Sequence, residues 1–95
     1  MNDRVLGMIG LATKAGKIIY GEDKLLEAIR FGKAKLVIIA TDASDNTKKK
    51  FNDKCSYYKV KAFEYGTKAT LQHAVVAIND RNFSDSVLNL LCGGK

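Results

Sequence analysis

Apolar positions along the chain change period several times, and each change marks an element. Val5, Met8, Ile9 and Ala12 recur at helical spacing, with Leu11 widening the stripe, and Lys14 and Gly16 suit a helix end. Ile18-Ile19-Tyr20 is a short β-like run. Gly21 breaks it, and Glu22 and Asp23 supply the acidic first turn of a second helix, with Leu25, Leu26 and Ile29 as its inner face and Gly32 as its stop. Leu36 to Ala40 shows no alternation, as expected of a strand covered on both faces. After a loop rich in capping residues, a third helix is predicted to start at Ser44, Asp45 or Asn46. Phe51, Cys55 and Tyr58 form its inner stripe, and Lys48-Lys49-Lys50 a solvated face. Val60 to Tyr65 alternates as a strand. Thr67 can cap a short helix over Lys68 to Ala74, Val75 to Ile78 reads as a strand and Asn79-Asp80 as a turn. A last helix is expected from Ser84 or Asp85, with Val87, Leu88 and Leu91 inward and Gly93-Gly94 as its end.

This alternation of helix and strand predicts an α/β protein, a three-layer α/β/α sandwich on a mixed four-stranded sheet. Residues 1–95 are expected to form one domain. One connection is cramped: nothing between Leu71-Gln72-His73-Ala74 and Val75 resembles a loop, although a helix needs at least ~2 residues to turn into a strand. Either the helix ends early, with Gln72-His73 as the turn, or a loop has been lost.

Composition narrows the function. A hydrophobic content of 46% is that of a globular protein. No apolar run approaches the ~18 residues of a membrane span, and the start of the chain, with Asp3, Arg4, Gly7 and Gly10, does not read as a signal peptide. A cytoplasmic protein without membrane contact is expected. The two cysteines, Cys55 and Cys92, and the single histidine, His73, make no zinc set, so no metal or other cofactor is expected. Sixteen Lys and Arg against ten Asp and Glu give +6, which favours a polyanionic partner.

Catalytic motifs fail on spacing. GLATKAGK, Gly10 to Lys17, has five residues between its glycines where a phosphate loop has four, and Ile18 stands where that loop needs Ser or Thr. His73 has no nucleophile elbow, Cys55 is followed by Lys61 where a phosphatase loop needs arginine, and Asp42 with Asp45 reads as caps. The chain is therefore read as non-enzymatic. Gly21-Glu22-Asp23-Lys24 is different: a glycine at a helix N-terminus exposes N–H donors, and its carboxylates can accept from base edges. Lys14, Lys17 and Lys33 bracket this turn in sequence and are expected to ring it with phosphate contacts.

The stretch GLATKAGKIIYGEDKLLEAIRFGKAKLVIIATDAS resembles the kink-turn RNA-binding superfamily of ribosomal proteins, the archaeal large-subunit seven-Ae type. DASDNTKKKFNDKCSYY and GTKATLQHA are most similar to its bacterial YlxQ-type branch. The resemblance implies the same sandwich fold, no catalysis, and binding of kink-turns, RNA duplexes bent at a bulge beside sheared G·A pairs. The implied partners are that RNA and the ribosome, for a protein monomeric in its free form. In the family, the helix after the first strand enters the groove at the G·A pairs, and a loop after the fourth helix covers an extruded nucleotide. The first places Gly21, Glu22, Asp23, Lys24 and Glu27 at RNA; the second places Ala74 and Val75 there. The family's groove motif is Gly-x-Asn-Glu-x-x-Lys, of which this chain keeps Gly21 alone: Asp23, Lys24 and Glu27 replace the Asn, Glu and Lys. The alternative reading is a ribosome-associated protein-interaction module on the same fold with kink-turn binding weakened or lost.

Overall fold

The computed structural model describes residues 4–91 of the chain. Its elements are α1 Arg4–Lys14, β1 Ile18–Tyr20, α2 Glu22–Arg30, β2 Leu36–Ile39, α3 Asp45–Tyr58, β3 Lys61–Glu64, α4 Lys68–Leu71, β4 Val75–Ile78 and α5 Arg81–Leu91. The predicted order is found throughout. The expected stop at Gly93-Gly94 lies outside the described residues.

The strands form one mixed sheet in the order β1-β4-β2-β3, with β2 parallel to β3 and antiparallel to β4, and β1 antiparallel to β4. Every residue of the two central strands is buried, β2 as LVII and β4 as VVAI. Strands covered on both faces need apolar side chains on both, which is why neither alternates. Helices α1 and α5 pack together as one covering layer and α2 and α3 as the other, completing the expected three-layer sandwich. Val5 and Ile9 of α1, Leu25 and Ile29 of α2, Phe51 and Cys55 of α3 and Val87 of α5 reach the core.

Four details depart from the pattern read in the sequence. In α2, Ala28 is buried in place of Leu26, which is only half-buried. Tyr58, expected inward, is 36% exposed: it is the last residue of α3 and borders an open groove with Leu26, Glu27 and Arg30 of α2. The last helix begins at Arg81 rather than at Ser84 or Asp85, because Asp80 Oδ2 accepts the Phe83 N–H at 3.0 Å and so supplies the cap, leaving Ser84 buried inside the helix. And α4 stops at Leu71, three residues short of Ala74. The cramped connection is thus solved by the early end: Gln72 turns the chain in the left-handed region (φ 64°), and Gln72 to Ala74 carry it into β4.

Two expectations follow. Ile38 is fully buried at the sheet centre, opposite Val76. Ile38→Ala should cost about 2–5 kcal/mol of stability in urea unfolding. Burial also pushes the Cys55 thiol from 9.0 up to about 11. In a Cys92→Ser background, Cys55 should resist alkylation at pH 8 in native protein and react promptly once urea unfolds it. The sign of the linkage is set by the raised value: the thiol's contribution to stability is full below pH 9.0 and lost as pH rises towards about 11, because the unfolded chain ionises first.

Candidate nucleic-acid interface

One end of the sheet gathers the last residues of β1, β2 and β3 and the first of β4. The α4 segment is tied across it. The Thr41 N–H and hydroxyl both donate to the Gly66 carbonyl, at 2.8 and 2.7 Å. Asp42 Oδ1 accepts the Lys68 N–H at 2.8 Å, and Thr67 and Thr70 cap each other at the start of α4. Asp42, read from its sequence context as a cap for the helix that its loop opens, instead holds the start of α4, and Ser44 caps α3. The Ala40 N–H then donates to the Ala74 carbonyl at 2.8 Å, fixing the entry into β4. With both ends of the turn held, the His73 ring stacks on Tyr20, centroids 4.3 Å apart and planes 12° from parallel.

Beside Tyr20 the chain passes through Gly21 into α2. Gly21 has φ 91° and ψ 128°, and a side chain built on it would meet no atom within 4 Å. The fold thus requires glycine here for its backbone conformation alone. Gly21, Glu22, Asp23 and Lys24 are all exposed, and no side chain caps the helix. The first-turn N–H groups are therefore open to solvent, at the positive end of the helix dipole. Glu22 does not fold back onto them; its carboxylate pairs with Lys50 Nζ from α3.

A cleft of about 170 Å³ lies at this point, lined by Gly21 and Glu22 on one side and His73, Ala74 and Val75 on the other. Four of the residues anticipated from the sequence therefore meet: Gly21, Glu22, Ala74 and Val75. Val75, at 4% exposure, forms floor and leaves Ala74 as the accessible member. Asp23 and Lys24 stand on the same exposed helical turn. Lys14 lines an adjoining groove of about 340 Å³ that includes Tyr20 and His73.

Three anticipated residues stand elsewhere. The Lys17 carbonyl accepts the Asn79 N–H where β4 ends, at the opposite end of β1 from Gly21. Lys33 follows the C-terminus of α2, so the ~1.5 Å rise of its nine residues puts it about 13 Å or more from Gly21. Glu27 faces a groove with Lys54 and Tyr58. The expected ring of Lys14, Lys17 and Lys33 does not form, because β1 and α2 run in opposite directions and carry their far ends away from the turn.

Three neighbours were not singled out from the sequence. Lys50 belongs to the run read as a solvated face, yet it reaches Glu22, and Lys48 reaches Glu64 at 3.3 Å. Nothing local to KKK says which helix lies alongside. Tyr20 and His73 carried a faint signal, an aromatic before the turn glycine and the chain's sole histidine in the connection that resisted a loop reading.

An open α/β/α sandwich with its cleft at the strand ends, beside an exposed helix start, is the architecture of a ribosomal-protein-type fold. The chain belongs to the Ribosomal protein L7Ae/L30e/S12e/Gadd45 family, whose model matches residues 3–81. It is similar to two proteins named RNA-binding protein YlxQ. The one from Bacillus subtilis (strain 168) is 41% identical over 91 residues, covering 88% of this chain and 91% of the relative. The one from Enterococcus faecium is 42% identical over 96 residues, covering 95% and 93%. A solved structure of a Bacillus halodurans C protein of unknown function superposes with TM-score 0.92 at 30% identity, covering 96% of this chain and 99% of that one.

Gly21→Ala tests the turn. Since the added methyl meets open space, its effect on the free protein is backbone strain alone, and stability should fall by about 1–3 kcal/mol in chemical denaturation. No loss at all would show that the turn relaxes and does not hold the start of α2.

Proposed function

We propose that this chain is a non-enzymatic RNA-binding protein that recognises kink-turns in structured RNA, ribosomal or regulatory, acting in the cytoplasm as a single domain of residues 1–95 and a monomer. The observation that carries the reading is the uncapped, exposed start of α2 at Gly21, facing His73 and Ala74 across a cleft, with His73 stacked on the neighbouring Tyr20. RNA is read where it is distorted, because the major groove of an undistorted A-form helix is too narrow for side chains. A helix start that stands free can enter a widened groove, with its N–H groups and the Glu22 and Asp23 carboxylates presented to base edges. An aromatic stack beside it suits an extruded base. Membership of the family and the names of two relatives support RNA as the partner. Among the described residues, no group of His, Cys, Asp and Glu could hold a metal ion, and no helix is long and apolar enough to cross a membrane.

In this reading Lys14, Lys24 and Lys50 supply the phosphate-facing charge, and Lys17, Lys33 and Glu27 stand aside. Kinked geometry is tested by comparing a kink-turn RNA with the same RNA carrying Watson–Crick pairs in place of its G·A pairs. The altered RNA should bind at least ~10-fold worse, about 1.4 kcal/mol. Equal affinity would leave only non-specific attraction and favour a protein-interaction role. Lys50→Ala should weaken binding of both RNAs and lower the slope of log affinity on log salt by about one, whereas Lys17→Ala should change little. The reverse ranking would move the interface to the other end of the sheet.

A further inference from the structure

The outer surface between α2 and α3 carries features that the cleft at Gly21 does not use. Tyr57 is 78% exposed and Phe31 63%, far more than their apolar rings favour. The Arg30 guanidinium lies 5.6 Å from the centre of the Phe31 ring, and Tyr57 meets Tyr58 edge to face with centroids 4.8 Å apart. Arg30, Phe31, Lys54 and Tyr58 line a groove of about 430 Å³. Lys54 and Tyr58 continue into a second hollow, of about 600 Å³, together with Tyr57 and Lys50. Lys50 is also the residue paired with Glu22, which places the edge of this surface beside the start of α2.

We propose that the α2–α3 surface is a second RNA-contacting site, which takes unpaired nucleotides flanking the folded RNA held at Gly21; it rests on the RNA-binding reading of that cleft. Single strands are bound where cations track the backbone and aromatic rings stack on successive bases. Here Lys50 and Lys54 precede Tyr57 and Tyr58 along α3, and Arg30 and Phe31 stand together just across the groove. Glu27 and Asp53 also line these hollows, and Glu22 pairs with Lys50 at their edge, so the attraction for a polyanion comes from the chain's overall charge of +6 and the specificity from the exposed rings. A paired duplex would present no base faces to these rings. Leu26, the aliphatic member of the groove, is half-buried, so the exposed apolar area on offer to a protein partner is aromatic. From Lys50 to Tyr57 the helix rises about 10 Å at ~1.5 Å per residue, the length of about three stacked nucleotides at ~3.4 Å each.

The test uses a kink-turn hairpin without a tail and the same hairpin with a short uridine tail on either end in turn. With wild-type protein, one tail should tighten binding about fivefold or more, since stacking one base on an aromatic ring is worth that much. Tyr57→Ala, at a surface position, should erase this gain and leave affinity for the tail-less hairpin unchanged, while Tyr57→Phe should keep it. A gain that survives both Tyr57→Ala and Phe31→Ala overturns the proposal, as does a loss that falls equally on tailed and tail-less RNA. A tail that adds nothing at either end also overturns it and leaves the surface to a protein partner. Failure of wild-type protein to bind the tail-less hairpin instead strikes the reading of the Gly21 cleft, and this proposal falls with it.

Discussion

The antiparallel ladder between β2 and β4 holds the cleft end of this molecule in place. Leu36 faces Ile78 at one end and Ile39 faces Val75 at the other, and every side chain on both strands is buried. A one-residue slip would swap the two faces of β4 and leave its helices packed against the wrong side chains. The register is therefore fixed, and with it the place where the chain must enter β4. Beyond the ladder the Ala40 N–H still reaches the Ala74 carbonyl. The cleft residues that follow from this pairing are not free to wander as an ordinary loop would.

That constraint fixes the path of the short turn after α4. The start of α4 is anchored by Thr41, Asp42 and its own Thr67–Thr70 box, and β4 is anchored by the ladder. Three residues must span the interval, and one of them, Gln72, takes a left-handed conformation that a side chain disfavours by roughly 1–2 kcal/mol. The surrounding hydrogen bonds and the burial of Leu71 sustain it. With so short a turn, His73 has little choice of position, and Tyr20, paired with Val76 across the β1–β4 ladder, is set beneath it.

Element order, the doubly covered β2 and the start of α3 within Ser44 to Asn46 could all be read from local pattern, because each depends on residues adjacent in sequence; which of the three caps the helix, Ser44, came only from the structure. The start of α2 at Glu22 was legible for the same reason: a glycine and two acids are a local signal. The failures are non-local. Asp80 displaced Ser84 as the cap of α5 since two capping residues compete and packing decides. Lys17 and Lys33 flank Gly21 in the chain yet end up across the sheet, because a short strand and a helix each carry the chain a full element length away from the turn. Lys50, distant in sequence, arrives beside Glu22 through the side-by-side packing of α2 and α3. Proximity in sequence located the turn glycine but not the charges around it.

The charge arrangement at the cleft has a consequence for how readily it can change partners. Glu22 and Lys50 are both exposed, and an exposed pair of this kind contributes only ~0–1 kcal/mol, with salt weakening it further. In the structure the Glu22 carboxylate pairs with Lys50 and makes no cap bond to the N–H groups of α2. The resting site thus keeps its donors open, an acceptor held to one side and a cation within reach. In the proposed reading, a polyanion that attracts Lys50 would release Glu22 at small cost, leaving the carboxylate on the exposed first turn of α2. A buried ion pair in the same place would have resisted this exchange, since separating it leaves a desolvated charge without a partner. Exposure at Gly21 to Lys24 is therefore what allows one short helix start to offer donors, acceptors and positive charge together.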